Sequence, residues 1–281
     1  LQEYVPDTNG DYILVVVPSG NYMPTSKVLF NWQWEWRPTR DRKRKKVKHL
    51  WKRFIKTTRI TNRFKLEEQT NHENLWDIYL LNFTQFQKAG ETINGKFLWF
   101  NDVSFLDRHP VWNFRVNTRF QKQLINLYID ASNNEQRNVW EHEWTIRYRA
   151  SSHFKQEVDL NYKRNKRESV VALSRNRNVT GYGAGTRSIF RVMKGMDNSL
   201  EFHGFFEEDQ RSGGALQAHY FKVKERLTAS VLKKGRLTAQ FQWYKVIIAK
   251  NPLNIPLPYE MAEGKKEGDS MEWSLRMDYF V

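Results

Sequence analysis

From Asn138 to Lys163 the chain alternates with a period of two residues. Trp140, Trp144, Ile146, Tyr148 and Ala150 share one phase, with His142 as the exception. Glu141, Glu143, Thr145, Arg147 and Arg149 share the other. After Ser151 and Ser152 the alternation resumes, with Phe154, Val158, Leu160 and Tyr162 set against Lys155, Glu157, Asp159 and Asn161, and Gln156 interrupting the apolar side. Successive side chains of a strand point to opposite faces, so both runs read as β-strands. The short polar join makes them a hairpin with one aromatic face and one charged face.

The same two-faced pattern recurs along the chain. Ser26 to Arg37 sets Val28, Phe30, Trp32, Trp34 and Trp36 against Lys27, Leu29, Asn31, Gln33 and Glu35. Leu237, Ala239, Phe241 and Trp243 oppose Thr238, Gln240 and Gln242, and Trp273, Leu275, Met277, Tyr279 and Val281 oppose Glu272, Ser274, Arg276 and Asp278. Three tryptophans on one side of one strand must be covered by a second protein layer or face lipid. Aromatic residues make up 15% of the chain, with 11 Trp, and such residues favour strands and collect at membrane–water boundaries.

The longest apolar run, Tyr12 to Val17, is far short of the roughly 20 residues a transmembrane helix needs. A helical membrane protein is therefore excluded, whereas a barrel of alternating strands gives no long hydropathy peak. The absence of cysteine removes disulfides, thiol catalysis and cysteine metal sites.

Further short strands are predicted at Tyr12–Val17, Phe54–Gln69, Leu75–Phe86 and Lys96–Leu106, and between residues 187 and 232 as four pieces that include Leu216–Lys224 and Arg226–Leu232. A weak strand is predicted at Ser169–Leu173. The apolar phase inverts between Gln121 and Gln123, which predicts a β-bulge or a tight turn there. Polar clusters at Gly90–Gly95, Ser132–Asn138, Arg164–Glu168 and Met196–Asn198 read as turns. Arg175–Gly185 reads as a glycine-rich loop, without the spacing of a dinucleotide fingerprint. Residues 251–270, rich in Pro and Gly, read as a long loop. The whole is one all-β unit spanning residues 1–281. It is an antiparallel up-and-down meander and, on this pattern, a transmembrane β-barrel of about 12 to 16 strands, since closure removes exposed edges. The alternation runs to the last residue, so a truncated barrel is expected.

Residues 38–53 break the pattern, and nine of the residues from Arg40 to Arg53 are Lys or Arg. Arg40, Arg42, Lys43, Arg44, Lys45, Lys46 and Lys48 are anion-binding candidates within a solvated loop. The net charge of +15 favours an anionic partner, but no nucleic-acid motif surrounds the cluster, so nucleic acid is not expected. Glu141, Glu143, Arg147, Arg149, Lys155, Glu157 and Asp159 are candidates to face a wet lumen. Trp32, Trp34, Trp36, Trp140, Trp144, Tyr148, Trp243 and Trp273 are candidates to face lipid. His142 alternates away from Glu141 and Glu143, so the three cannot converge on a metal. Glu207, Glu208 and Asp209 read as a solvated strand end. No catalytic set, metal or cofactor is expected.

Two stretches, EYVPDTNGDYILVVVPSGNYMPTSKV (3–28) and GRLTAQFQWYKV (235–246) with IPLPYEMAEGKKEGDSMEWSLRMDYFV (255–281), resemble the C-terminal regions of large uncharacterised surface proteins of Gram-negative bacteria. The resemblance implies an outer-membrane barrel domain whose Trp273–Val281 strand is followed by further strands, and it carries over no catalytic residues. The expectation is thus a non-catalytic anchor, pore or assembly and translocation component of the bacterial outer membrane. Its partners would be outer-membrane lipid or lipopolysaccharide, other envelope proteins, or the remainder of a larger chain. The alternative is a soluble β-sheet protein that binds an anionic polymer or acidic partner through the basic loop. That alternative requires a protein layer over the tryptophans of Val28–Trp36.

Overall fold

A computed structural model describes residues 2–6, 12–16, 25–38, 55, 57–71, 76, 86–88, 90–107, 109–126, 134–170, 173–210, 215–231, 235–252 and 254–279. A two-stranded sheet pairs β1 (Gln2–Pro6) with β2 (Tyr12–Val16). Eleven strands form one antiparallel meander in strict chain order. They are β3 (Ser26–Trp36), β4 (Arg59–Thr70), β5 (Thr92–Phe105), β6 (Trp112–Asn126), β7 (Asn134–Arg149), β8 (Phe154–Ser169), β9 (Arg177–Met193), β10 (Met196–Asp209), β11 (Leu216–Val231), β12 (Gly235–Lys250) and β13 (Gly268–Tyr279). The chain is therefore all-β, as the alternation predicts. The sheet is open, with β3 and β13 at its edges. In a meander of eleven strands the first and last run in the same direction, so β3 and β13 could meet only as a parallel pair.

Most strands outrun their sequence signatures, and several expectations are overturned. Arg175–Gly185 is not a loop, since Arg177 onward belongs to β9 and pairs with both β8 and β10. Arg164–Glu168 is not a turn but the end of β8, and Asn134–Asn138, Thr92–Gly95 and Met196–Asn198 begin β7, β5 and β10. Leu216–Lys224 and the described part of Arg226–Leu232, up to Val231, are one strand. Ser169 closes β8, and Leu173–Arg175 is a 3-10 turn. The cause is common to all of them. Backbone ladders continue past the apolar band, where side chains on both faces are polar and mimic turn composition. No bulge lies at Gln121–Gln123, because β6 pairs in unbroken register with β5 and β7. Lys122 simply interrupts the face that Phe120 and Leu124 share. Leu75, residues 77–85 and the basic loop residues Arg40 to Arg53 lie outside the described residues.

The connections differ at the two ends of the sheet. Residues 150–153 and 194–195 join strands at one end, and residues 173–176 and 254–267 lie between strands at the other.

Candidate functional site

Register turns the alternation into two surfaces. The aromatic surface carries two rows of rings. One is continuous across seven strands: Phe30, Phe64, Phe97, Phe120, Trp140, His142, Tyr162 and Tyr182, with neighbouring centroids 4.9 to 6.1 Å apart. The other holds Phe105 against Phe114, Trp112 against Tyr148, and Phe154 against Phe190. On each of β5 to β9 the rows are eight residues apart: Phe97 and Phe105, Trp112 and Phe120, Trp140 and Tyr148, Phe154 and Tyr162, Tyr182 and Phe190. At about 3.4 Å per residue this is about 27 Å along the strand.

Between the rows, large apolar side chains lie uncovered, among them Ile146 at 45%, Val158 at 43% and Leu160 at 53% exposure. The lipid-facing candidates Trp32, Trp34, Trp36, Trp140, Trp144, Tyr148, Trp243 and Trp273 all lie on this surface. Trp32 and Trp34 remain 49% and 43% exposed, so no layer of the described residues covers them. The polar intruders are hydrogen-bonded to one another. His142 pairs with Thr118 Oγ1 on β6 at 3.0 Å and accepts from the Trp140 indole. Gln156 donates to Thr186, and Ser188 Oγ donates to Gln156 Oε1 at 2.6 Å. Each intruder sits one step inside an aromatic row, His142 beside Trp140 and Gln156 beside Phe154.

The opposite surface is charged, and β5 to β11 together line a hollow of about 740 Å3 on it. One cross-strand row alternates in sign from β7 to β11: Arg147, Glu157, Arg187, Glu201 and Lys224 are successive register partners. Arg147 Nε donates to Glu157 at 2.6 Å, and Arg187 pairs with Glu157 at 3.5 Å and Glu201 at 2.8 Å. A second row places Arg119, Glu141, Lys163, Gly181 and Glu207 opposite one another. Arg115 grips Asp102 through two hydrogen bonds, at 3.1 and 2.5 Å. Asp159 meets His203 at 3.2 Å and accepts from Asn161 at 3.1 Å. Opposite charges directly across strands neutralise each other in this way. Of the lumen candidates, Glu141, Glu143, Arg147, Glu157 and Asp159 line the hollow. Arg149 and Lys155 oppose each other at the exposed hairpin end, away from it.

Sequence reading missed three features here. Arg115, Arg187, Glu201 and His203 complete the charge ladders but needed the register to be seen. Glu207 and Asp209 are buried, at 3% and 0% exposure, which corrects their reading as a solvated end. The cause is the third feature: residues 254–267 do not extend away from the sheet but lie across its charged face. Met261 packs with Val179, Leu216 and Ala218, and Ala262 with Tyr220 and Val246, all on that face. Glu207 accepts the Ala262 N–H at 2.6 Å, and Lys222 Nζ reaches Glu263 at 3.1 Å. Lys163 Nζ, on β8, donates to the Glu260 carbonyl at 3.2 Å. The hydrogen bond to Glu272 holds the Lys265 ammonium above its ordinary range. Among the described residues no group of three or more His, Asp or Glu is placed to hold a metal ion.

No protein-family model matches the chain, and no curated protein does. Among solved structures it is similar to the ferric-catecholate import receptor Fiu of E. coli K12 in its closed form, with 9% identity and a TM-score of 0.45. The match takes in 90% of this chain and 46% of the receptor, so the chain spans less than half of that protein's length.

Proposed function

We propose that the chain forms the wall of an outer-membrane β-barrel, with its aromatic surface toward lipid and its charged surface toward a wet interior, and that it serves in anchoring or passage without catalysis. The observation that carries this is the pair of aromatic rows eight residues apart on five successive strands. With strands tilted by about 40°, the rows stand about 20 Å apart along the membrane normal, in keeping with the apolar band and flanking girdles of such barrels. Lipid needs no packing partner on Leu160 or Val158, and inside the band His142 pairs with Thr118 and Gln156 with Thr186 and Ser188, as a medium without water favours. Because β3 and β13 are parallel, closing this wall with antiparallel pairs takes an odd number of further strands between them. Outer-membrane lipid, including lipopolysaccharide, is the partner this surface fits.

Reconstitution into vesicles of brominated phospholipid tests the reading. Tryptophan fluorescence is expected to be strongly quenched by bromine on the acyl chains and weakly by aqueous acrylamide. The reverse order, or a monodisperse detergent-free monomer, rules the membrane wall out.

A further inference from the structure

We infer that residues 254–267 are a strap that occludes the interior of the wall and is latched there by Glu207, an inference that rests on the membrane reading above. The span of the segment is the first argument. It leaves β12 and enters β13, yet its Glu260 contacts Lys163 and Arg167 of β8, four strands away. At about 4.8 Å per strand this is about 19 Å across the charged face. That path carries the segment over the charged face, which is the interior side in the membrane reading.

The seat is built for it. Phe205 and Tyr220 stack at 4.4 Å with ring planes 9° apart, and the Ala262 cluster rests on them. Phe205 can lie in that position because β9 carries Gly183 beneath it, where a Cβ would stand 2.2 Å from the ring. Met261 and Ala262 are both fully buried. Ala262, Glu263 and Gly264 are left-handed, with φ of 49°, 53° and 75°. Two non-glycine residues in that region persist only where the surroundings over-determine them. Here the Glu207 carboxylate holds the Ala262 amide, and Lys222 holds Glu263. Pro256 and Pro258 limit the conformations available to the segment when released.

The test is conductance in planar lipid bilayers, made on the protein with its wall closed by the further strands that antiparallel closure takes. It compares the intact chain with a variant whose residues 254–266 are replaced by a Gly-Ser linker of equal length, and with Glu207→Ala and Glu207→Gln. A strap predicts low conductance for the intact chain, a several-fold rise for the linker variant and for Glu207→Ala, and near-native behaviour for Glu207→Gln, which keeps an acceptor for the Ala262 amide. The chain has no cysteine, so Ala218→Cys with Met261→Cys can pin the strap. Oxidising that pair in the Glu207→Ala background is expected to restore low conductance, and reduction to lift it. A linker variant that inserts and conducts like the intact chain overturns the strap alone. A chain that does not insert at all overturns the membrane wall and the strap together.

Discussion

At the level of single residues, the glycines of β9 and β10 differ in what surrounds them. A Cβ on Gly183 would meet Phe205 at 2.2 Å, whereas one on Gly204 would meet only Phe221 at 3.6 Å, an ordinary contact. Gly183→Ala must drive the ring off Tyr220, and overpacking of this kind costs about 1–3 kcal/mol. Gly204→Ala meets no clash and relieves the conformational freedom that glycine loses in a strand. Urea-induced unfolding should therefore shift to lower midpoint for Gly183→Ala and stay level or rise for Gly204→Ala; equal shifts would remove the seat from the account. Gln156 offers a second test, because its value is set by its partners. Gln156→Leu strips Ser188 of its acceptor on the surface proposed to face lipid, and a polar group left unsatisfied out of water costs about 1–3 kcal/mol. Gln156→Leu with Ser188→Ala removes both ends of that bond and is expected to recover most of the loss. A double variant as unstable as the single one would show that hydrogen bonding is not what makes Gln156 tolerable there.

Among the elements, β8 makes the depth of the apolar band measurable. Val158 lies midway between Phe154 and Tyr162 on the aromatic surface. Arginine at the bilayer midplane costs about 2–4 kcal/mol and near the interface about 0–1. Val158→Arg should therefore lower the stability of protein refolded into phospholipid vesicles far more than Tyr162→Arg does. Equal costs at the two positions would contradict a band centred on Val158. This strand also shows what sequence could and could not reveal. Phe154 to Tyr162 alternates with Gln156 as the one exception and was legible, as were β3, β7, β12 and β13. Arg164 to Ser169 continues the same ladder but was unreadable, because Asn165 is buried by the fold rather than by its own character. In β9, Gly181, Gly183 and Gly185 look like a loop until β10 is laid beside them and Phe205, His203 and Glu207 fill the space. The inward strap was the least legible element. Proline and glycine do mark residues 254–267 as irregular, but contact with β8 depends on a register that only the whole sheet supplies.

For the molecule as a whole, the distribution of charge separates the interior from the rest of the chain. The chain carries a net charge of +15. The hollow nonetheless has seven Lys or Arg side chains (Arg115, Arg119, Arg147, Lys163, Arg187, Lys222, Lys224) and seven acidic ones (Glu141, Glu143, Glu157, Asp159, Glu201, Glu207, Glu263). The excess positive charge therefore lies elsewhere, and Arg40 to Arg53 alone hold nine basic residues. Selective pores use rings of one sign, whereas alternating rows such as Arg147, Glu157, Arg187, Glu201 and Lys224 cancel at short range. Replacing the strap removes Glu263 with it, which leaves seven basic against six acidic side chains in the hollow. A pore opened in this way should thus prefer chloride to potassium only weakly, with a reversal potential close to zero across a salt gradient, despite the basic chain. Glu157→Gln with Glu201→Gln unbalances one row and should shift the reversal potential toward anion preference, while neutralising Lys43, Arg44, Lys45 and Lys46 should leave it unchanged. Strong anion selectivity in the strap-replaced protein, abolished by neutralising those four residues, would mean that the basic segment and not the balanced hollow governs passage.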